Sequence, residues 1–143
     1  MESTPQTEVR TSNLKPKWQE RFAFFDQHGG PRTETFKAAF RVLPFRKKLL
    51  INCNVIAFFF GPIYWFVLGM WKKNLVMLGI IMAIGLLEGV YEAVTGNVVP
   101  RAVDQGLSTA FAFLYAVLTN YAYYLKQNKG NQGWNPFEGQ RLN

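Results

Sequence analysis

Apolar and polar positions along this chain are sorted into long blocks rather than interleaved. Residues 1–13 are polar and without periodicity. Such a stretch has no face to bury and is expected to be disordered. From Leu14 the pattern changes. Leu14, Trp18, Phe22 and Phe25 recur at spacings of four, four and three, which places them on one face of a helix. The "HGGP" turn, His28 to Pro31, ends that helix. A second short helix follows, with Phe36, Ala39, Phe40 and Leu43 on one face, and Pro44 stops it. Lys15, Lys17, Lys37 and Arg41 lie beside the two aromatic faces. Short basic helices of this kind can lie at the headgroup boundary with the apolar face down and their cations near anionic lipid. The alternative is that the two faces pack on each other or on a cytosolic partner.

After "RKK" (Arg46 to Lys48) comes an apolar body in three blocks: 51–71, 75–94 and 106–125. At about 1.5 Å of rise per residue, some 20 helical residues cross a hydrocarbon core of about 30 Å. The second and third blocks fit a spanning helix. The first contains Gly61-Pro62 near its middle, and a proline there removes a backbone donor and crowds the preceding turn. Each arm is then about 15 Å long, half of the core. The block therefore reads either as a kinked span or as a re-entrant hairpin whose irregular apex is shielded by protein or water.

Charge changes that picture. The chain of 143 residues carries a net +7. Residues 1–50 hold ten Lys/Arg and five Asp/Glu, whereas 51–125 hold three of each. With three spans and a cytoplasmic N-terminus, the cytoplasmic side would hold eleven Lys/Arg and the outside five. With a re-entrant first block it would hold fifteen, leaving only Arg101 outside. The positive-inside bias of short loops favours the second arrangement, with both termini cytoplasmic. The expected fold is thus an all-α membrane protein. It has two transmembrane helices plus the Gly-Pro-broken segment, preceded by the basic amphipathic region 14–50 and followed by a flexible polar tail, 126–143. In that tail Trp134 and Phe137 could touch the interface or a partner.

"WQERFAFFDQHG" (Trp18 to Gly29) and "LPFRKKLLINCNVIAFFFGPIYWFVLGMWKKNL" (Leu43 to Leu75) carry a family pattern. It has an aromatic-Gly-Pro core, then Gly-Met-Trp and basic residues. Here these are Ala57, Phe58, Phe59, Phe60, Gly61, Pro62, Tyr64, Gly69, Met70, Trp71, Lys72 and Lys73. The chain resembles the YigF-like bacterial inner-membrane proteins of domain-of-unknown-function family 2628 over about residues 18–125. The resemblance implies a small multi-pass protein of the bacterial inner (cytoplasmic) membrane. It transfers no catalytic residue, because none is assigned in the family.

Candidate chemistry is sparse. The single cysteine, Cys53, permits no intrachain disulfide, and His28 is the only histidine, so no metal-ligand cluster can be assembled from these residue types. The N-terminus lacks an apolar stretch after its basic residues and is not expected to be a cleavable signal peptide. Glu88 and Glu92 lie one turn apart on the second block. A carboxylate at membrane depth is costly and should face protein or water. The pair reads either as a proton or cation site or as an outer-interface pair satisfied by Arg101. Gly79, Ala83, Gly85 and Gly89 form a small-residue stripe on that block, and Ala112 and Ala116 a matching one on the third. Such stripes let backbones approach closely, either within the chain or between copies of it. Asn120, inside the third block, should find an interhelical partner, and Asn52 and Asn54 could cap the first block. Tyr121, Tyr123 and Tyr124 read as an interfacial belt.

The functional expectation is a non-enzymatic scaffold or regulatory subunit. It would need no cofactor, and would contact anionic headgroups and a protein partner or a second copy, but no nucleic acid. The alternative is a small oligomeric transporter or channel component using Glu88 and Asn120. A lipid-modifying enzyme lacks a nucleophile, base or metal signature.

Overall fold

In the structure, a computed structural model, residues 12–140 are described, and they contain helices but no strand. The helices are α1 (Pro16–His28), α2 (Glu34–Val42), α3 (Phe45–Asn52), α4 (Val55–Val67), α5 (Trp71–Thr95) and α6 (Arg101–Lys129). Three stretches are long and apolar enough to cross a membrane: Phe45–Val67, Trp71–Thr95 and Arg101–Lys129. The expectation of disorder over 1–13 falls, for residues 1–11, outside the described residues.

The observed elements extend the expected blocks. α5 begins at Trp71, four residues before the second block. α6 covers 29 residues, about 44 Å at about 1.5 Å per residue. That outreaches a core of about 30 Å. Lys126–Lys129 therefore continue α6 rather than opening a tail.

The overhang of α6 explains the basic region. Proline at the start of α1 fixes φ where no helical N–H is needed. Thr33 caps α2 by accepting a hydrogen bond from the Phe36 N–H. The aromatic face of α1 does not lie free for a membrane, as docking at the headgroup boundary would need. Trp18 packs on Tyr123 with ring centroids 4.7 Å apart, Phe22 meets Tyr124 edge-on at 5.4 Å, and Phe25 stacks on Phe36 of α2 at 6.0 Å. The tyrosines expected as a lipid belt are instead the platform on which α1 sits. Arg21, buried beside them, donates from Nε to the Leu50 carbonyl at 2.7 Å. Its guanidinium lies over the Trp18 ring. Burial lowers its pKa from the ordinary arginine value, and the Leu50 carbonyl partly offsets the loss of water.

α4 takes a path that its length alone would not suggest. Asn54 at its start donates from the backbone N–H to the Ala116 carbonyl, 2.9 Å. Phe58 then packs on Phe113, 5.1 Å between centroids. At Phe60 the backbone leaves the helix (φ −124°, ψ 22°), two residues before Pro62. Gly61 rests against Tyr115, Trp65 donates to Thr119 at 2.6 Å, and the Leu68 carbonyl accepts from Lys126 at 2.7 Å. The first arm runs toward the N-terminus of α6, and the second runs back toward its C-terminus. Both ends of α4 thus lie beside residues 116–126 of α6. α5 and α6 form an antiparallel pair whose connection, 96–100, lies at the opposite end.

α4 packs chiefly on α6 and secondarily on α5, standing between them. That placement corrects the expected packing of α5 on α6 through small residues. A Cβ added at Gly79, Gly85 or Gly89 would meet nothing within 4 Å, and Ala83 is exposed. Ala116 is fully buried, but against α4. Beyond α6, residues 131–140 fold back. Trp134 meets Trp71 edge-on at 5.7 Å, Asn131 donates to Glu138 at 2.8 Å, and Gln140 is buried.

Candidate functional site

Three places gather polar side chains at the apolar body. The first is a buried seam where α4 lies on α6. Asn54 accepts from the Ala57 N–H through Oδ1, capping α4, and donates from Nδ2 to Asn120 Oδ1 at 3.1 Å. Asn120 in turn donates to the carbonyls of Ile51 (3.0 Å) and Leu50 (3.3 Å). Farther along, Trp65 donates to Thr119, whose hydroxyl donates to the Tyr115 carbonyl. Tyr115 donates to Asn74 Oδ1 at 2.9 Å, and Asn74 donates from Nδ2 to the Pro62 carbonyl at 2.8 Å. The seam thus satisfies open backbone groups at the start of α4 and at its break, as any irregular backbone in an apolar medium requires. Asn120 has the interhelical partner expected of it, and Asn54 is the cap. Asn52 is exposed and takes no part.

The second place is a cavity of about 370 Å³ beyond the apex of α4, between α5 and α6. Phe58, Phe59, Gly61 and Pro62 form its floor, and Glu88, Asp104 and Ser108 enter its wall. Glu88 Oε1 is shielded from solvent and has no hydrogen-bond partner. Glu92 is not its companion. It accepts from the Val99 N–H at 2.8 Å, tying down the α5–α6 connection. Arg101 is exposed and bridges neither glutamate, so the expected interface pairing gives way to a backbone bond that lies closer to hand.

The third place is the basic end, where Lys72, Lys73 and Lys126 surround a small cavity beside Gly69 and Met70. Lys72 lies 5.7 Å from the Trp71 ring and 5.8 Å from the Trp134 ring.

The motif residues divide between these places. Ala57 is fully buried and Met70 nearly so. Gly61 admits the Tyr115 ring, since a Cβ there would stand 2.5 Å from Tyr115 Cγ. Phe59 and Phe60 point outward, Tyr64 is half-buried, and Trp71 and Lys72 border the third place. Asn74, Tyr115, Thr119, Asp104 and Lys126 were not singled out by pattern, and Lys73 only as a basic residue of the family motif. The spacing of four between Tyr115 and Thr119, inside an apolar helix, was the available signal. Among the described residues no three His, Cys, Asp or Glu side chains gather as a metal site would need.

The family model described as "Protein of unknown function (DUF2628)" matches residues 5–129. The uncharacterized protein YigF of Escherichia coli K12 is 40% identical over 130 residues, covering 88% of this chain and 94% of that one. YigF of Salmonella typhimurium LT2 is 40% identical over 133 residues, with the same coverage. No solved structure matches significantly. The family-model match over residues 5–129 and the 40% identity across most of both chains make this chain a member of the DUF2628 family.

Proposed function

We propose that this protein is a non-enzymatic scaffold or regulatory subunit of the bacterial cytoplasmic membrane, with α4 as a re-entrant hairpin and both termini in the cytoplasm. One observation carries the reading: both ends of α4 lie beside the same half of α6. If α5 and α6 cross the bilayer, α4 enters and leaves by one face. All Lys/Arg except Arg101 then stand on that face, in keeping with the positive-inside bias. The same arrangement builds α1, α2 and α3 into a single folded head on the cytoplasmic side. The aromatic face of α1 and Phe36 of α2 are spent internally, and the outward surface combines Arg41 and Arg46 with the exposed apolar side chains of Val42 and Phe45. Such a head offers a partner a docking face, and the body anchors it.

Reporter fusions at the C-terminus test the topology. A reporter that fluoresces only in the cytoplasm should be bright, and one active only outside should be silent; the reverse pattern would mean three spans. The scaffold role is tested on α2, where Lys37 and Arg41 border the outward face. Lys37→Glu with Arg41→Glu should abolish co-purification of a protein partner while membrane insertion stays at the level of the unaltered chain. Undiminished co-purification would remove the basic head from the role.

A second reading rests on the larger cavity. A carboxylate without a partner at membrane depth is costly to keep, and Glu88 faces about 370 Å³ of space with Asp104 and Ser108 nearby. This supports a transporter component in which Glu88 receives a proton or cation. Glu88→Gln should then abolish uptake into proteoliposomes, and unchanged flux would end this reading.

A further inference from the structure

Lys73 is the third residue of α5 and is only 3% exposed. Its Nζ is sealed from solvent and has no hydrogen-bond partner. Buried ammonium groups in folded proteins are paired or hydrogen-bonded, because removal from water is otherwise uncompensated. Glu138 attracts it from beyond ion-pair distance and accepts a hydrogen bond from Asn131 instead. Lys73 lines a cavity of about 10 Å³ together with Lys72, Lys126 and Gly69. A space of that size admits about one water-sized atom. An oxygen of a larger anion fits it, the remainder of the group staying at the mouth.

The mouth is furnished for such a group. Lys126 donates to the Leu68 carbonyl at 2.7 Å, which occupies one of its three protons. Its Nζ comes so close to Gly69 that a Cβ there would crowd it, and the positive φ of +74° at that position itself favours glycine. Lys72 has no carboxylate partner and lies against two tryptophan rings. Both rings are half exposed, as is usual for indoles at headgroup depth. Three point-like ammonium groups without an arginine fork suit phosphate oxygens better than a planar carboxylate.

We infer that Lys73, Lys72 and Lys126 form a binding site for a phosphate-bearing anion, one oxygen of which enters the cavity and takes the Lys73 ammonium as its partner. The same chemistry is offered by the headgroup of an anionic phospholipid and by free phosphate. The site does not depend on which side of the membrane it faces, so it stands or falls apart from the topology proposed above.

The full chain in a neutral detergent would be titrated with short-chain phosphatidylglycerol and, separately, with inorganic phosphate, following the tryptophan emission of Trp71 and Trp134. Saturable binding of at least one probe is expected, weakened tenfold or more in Lys73→Gln and unchanged in Lys129→Gln, which lies outside the cavity. Saturation by phosphatidylglycerol alone identifies a lipid headgroup, and competition by inorganic phosphate identifies a soluble anion. Helical circular dichroism and gel filtration check the fold of each variant. Should Lys73→Gln not be recovered folded, Lys72→Gln and Lys126→Gln decide, each expected to weaken binding. No saturable binding by the unaltered chain overturns the inference, as does equal loss in Lys129→Gln or unchanged affinity in the cavity variants; a water molecule then serves Lys73.

Discussion

Gly61 and Gly89 are both glycines of apolar helices, yet they meet opposite surroundings. A methyl group on Gly61 would run into the Tyr115 ring, whereas one on Gly89 would meet nothing. Gly61→Ala should therefore force the second arm of α4 off α6, and a close-packed contact of that kind costs about 1–3 kcal/mol. Gly89→Ala should be neutral or stabilising by up to about 1 kcal/mol, from helix propensity alone. Thermal unfolding in detergent checks the pair: a fall in melting temperature for the first and none for the second. A fall for Gly89→Ala as well would show that α5 has a neighbour outside this chain. In the sequence, Gly61 belongs to the break and Gly89 to a packing stripe, but spacing reports which residues share a face and not what that face meets. Asn120 was legible for a different reason. A lone amide inside an apolar helix must find a partner, whatever the fold turns out to be. Lys73 was marked by the family pattern but its burial was not legible, because a lysine at the head of an apolar block reads as solvated until the folded-back segment 131–140 is seen to cover it.

Among the elements, α5 and α6 were legible from length and hydropathy, with ends displaced by a few residues. α4 was legible as two alternatives only. Pro62 announces a break, but a break does not specify whether the chain continues or turns round. Long-range partners set the path of each arm along α6: Ala116 and Phe113 for the first, Thr119 and Lys126 for the second. The same limit explains α1. Its stripe of Trp18, Phe22 and Phe25 correctly marked a buried face, and the periodicity that did so is blind to whether lipid or protein does the burying. The tyrosines that settle the matter are about a hundred residues away in the chain.

At the level of the whole molecule, the blockwise separation of charge from apolar residues was enough to name the class, an all-helical chain with helices apolar enough to span a membrane. Family membership adds a close agreement over most of the length but no chemistry. The C-terminal reporter belongs to this scale, because a single orientation assigns a side to every loop at once. A re-entrant α4 would have one more consequence. If α5 and α6 span, one leaflet contains both arms of α4 beside them, each helix about 10 Å across, and carries the head on its surface. The other leaflet contains α5 and α6 alone. A body so tapered displaces more lipid from one leaflet than from the other. In a flat membrane that mismatch is a standing stress, relieved where the sheet bulges toward the cytoplasm, as at the neck of a dividing cell. Shape alone would then bias where in the envelope the protein gathers, before any partner is met.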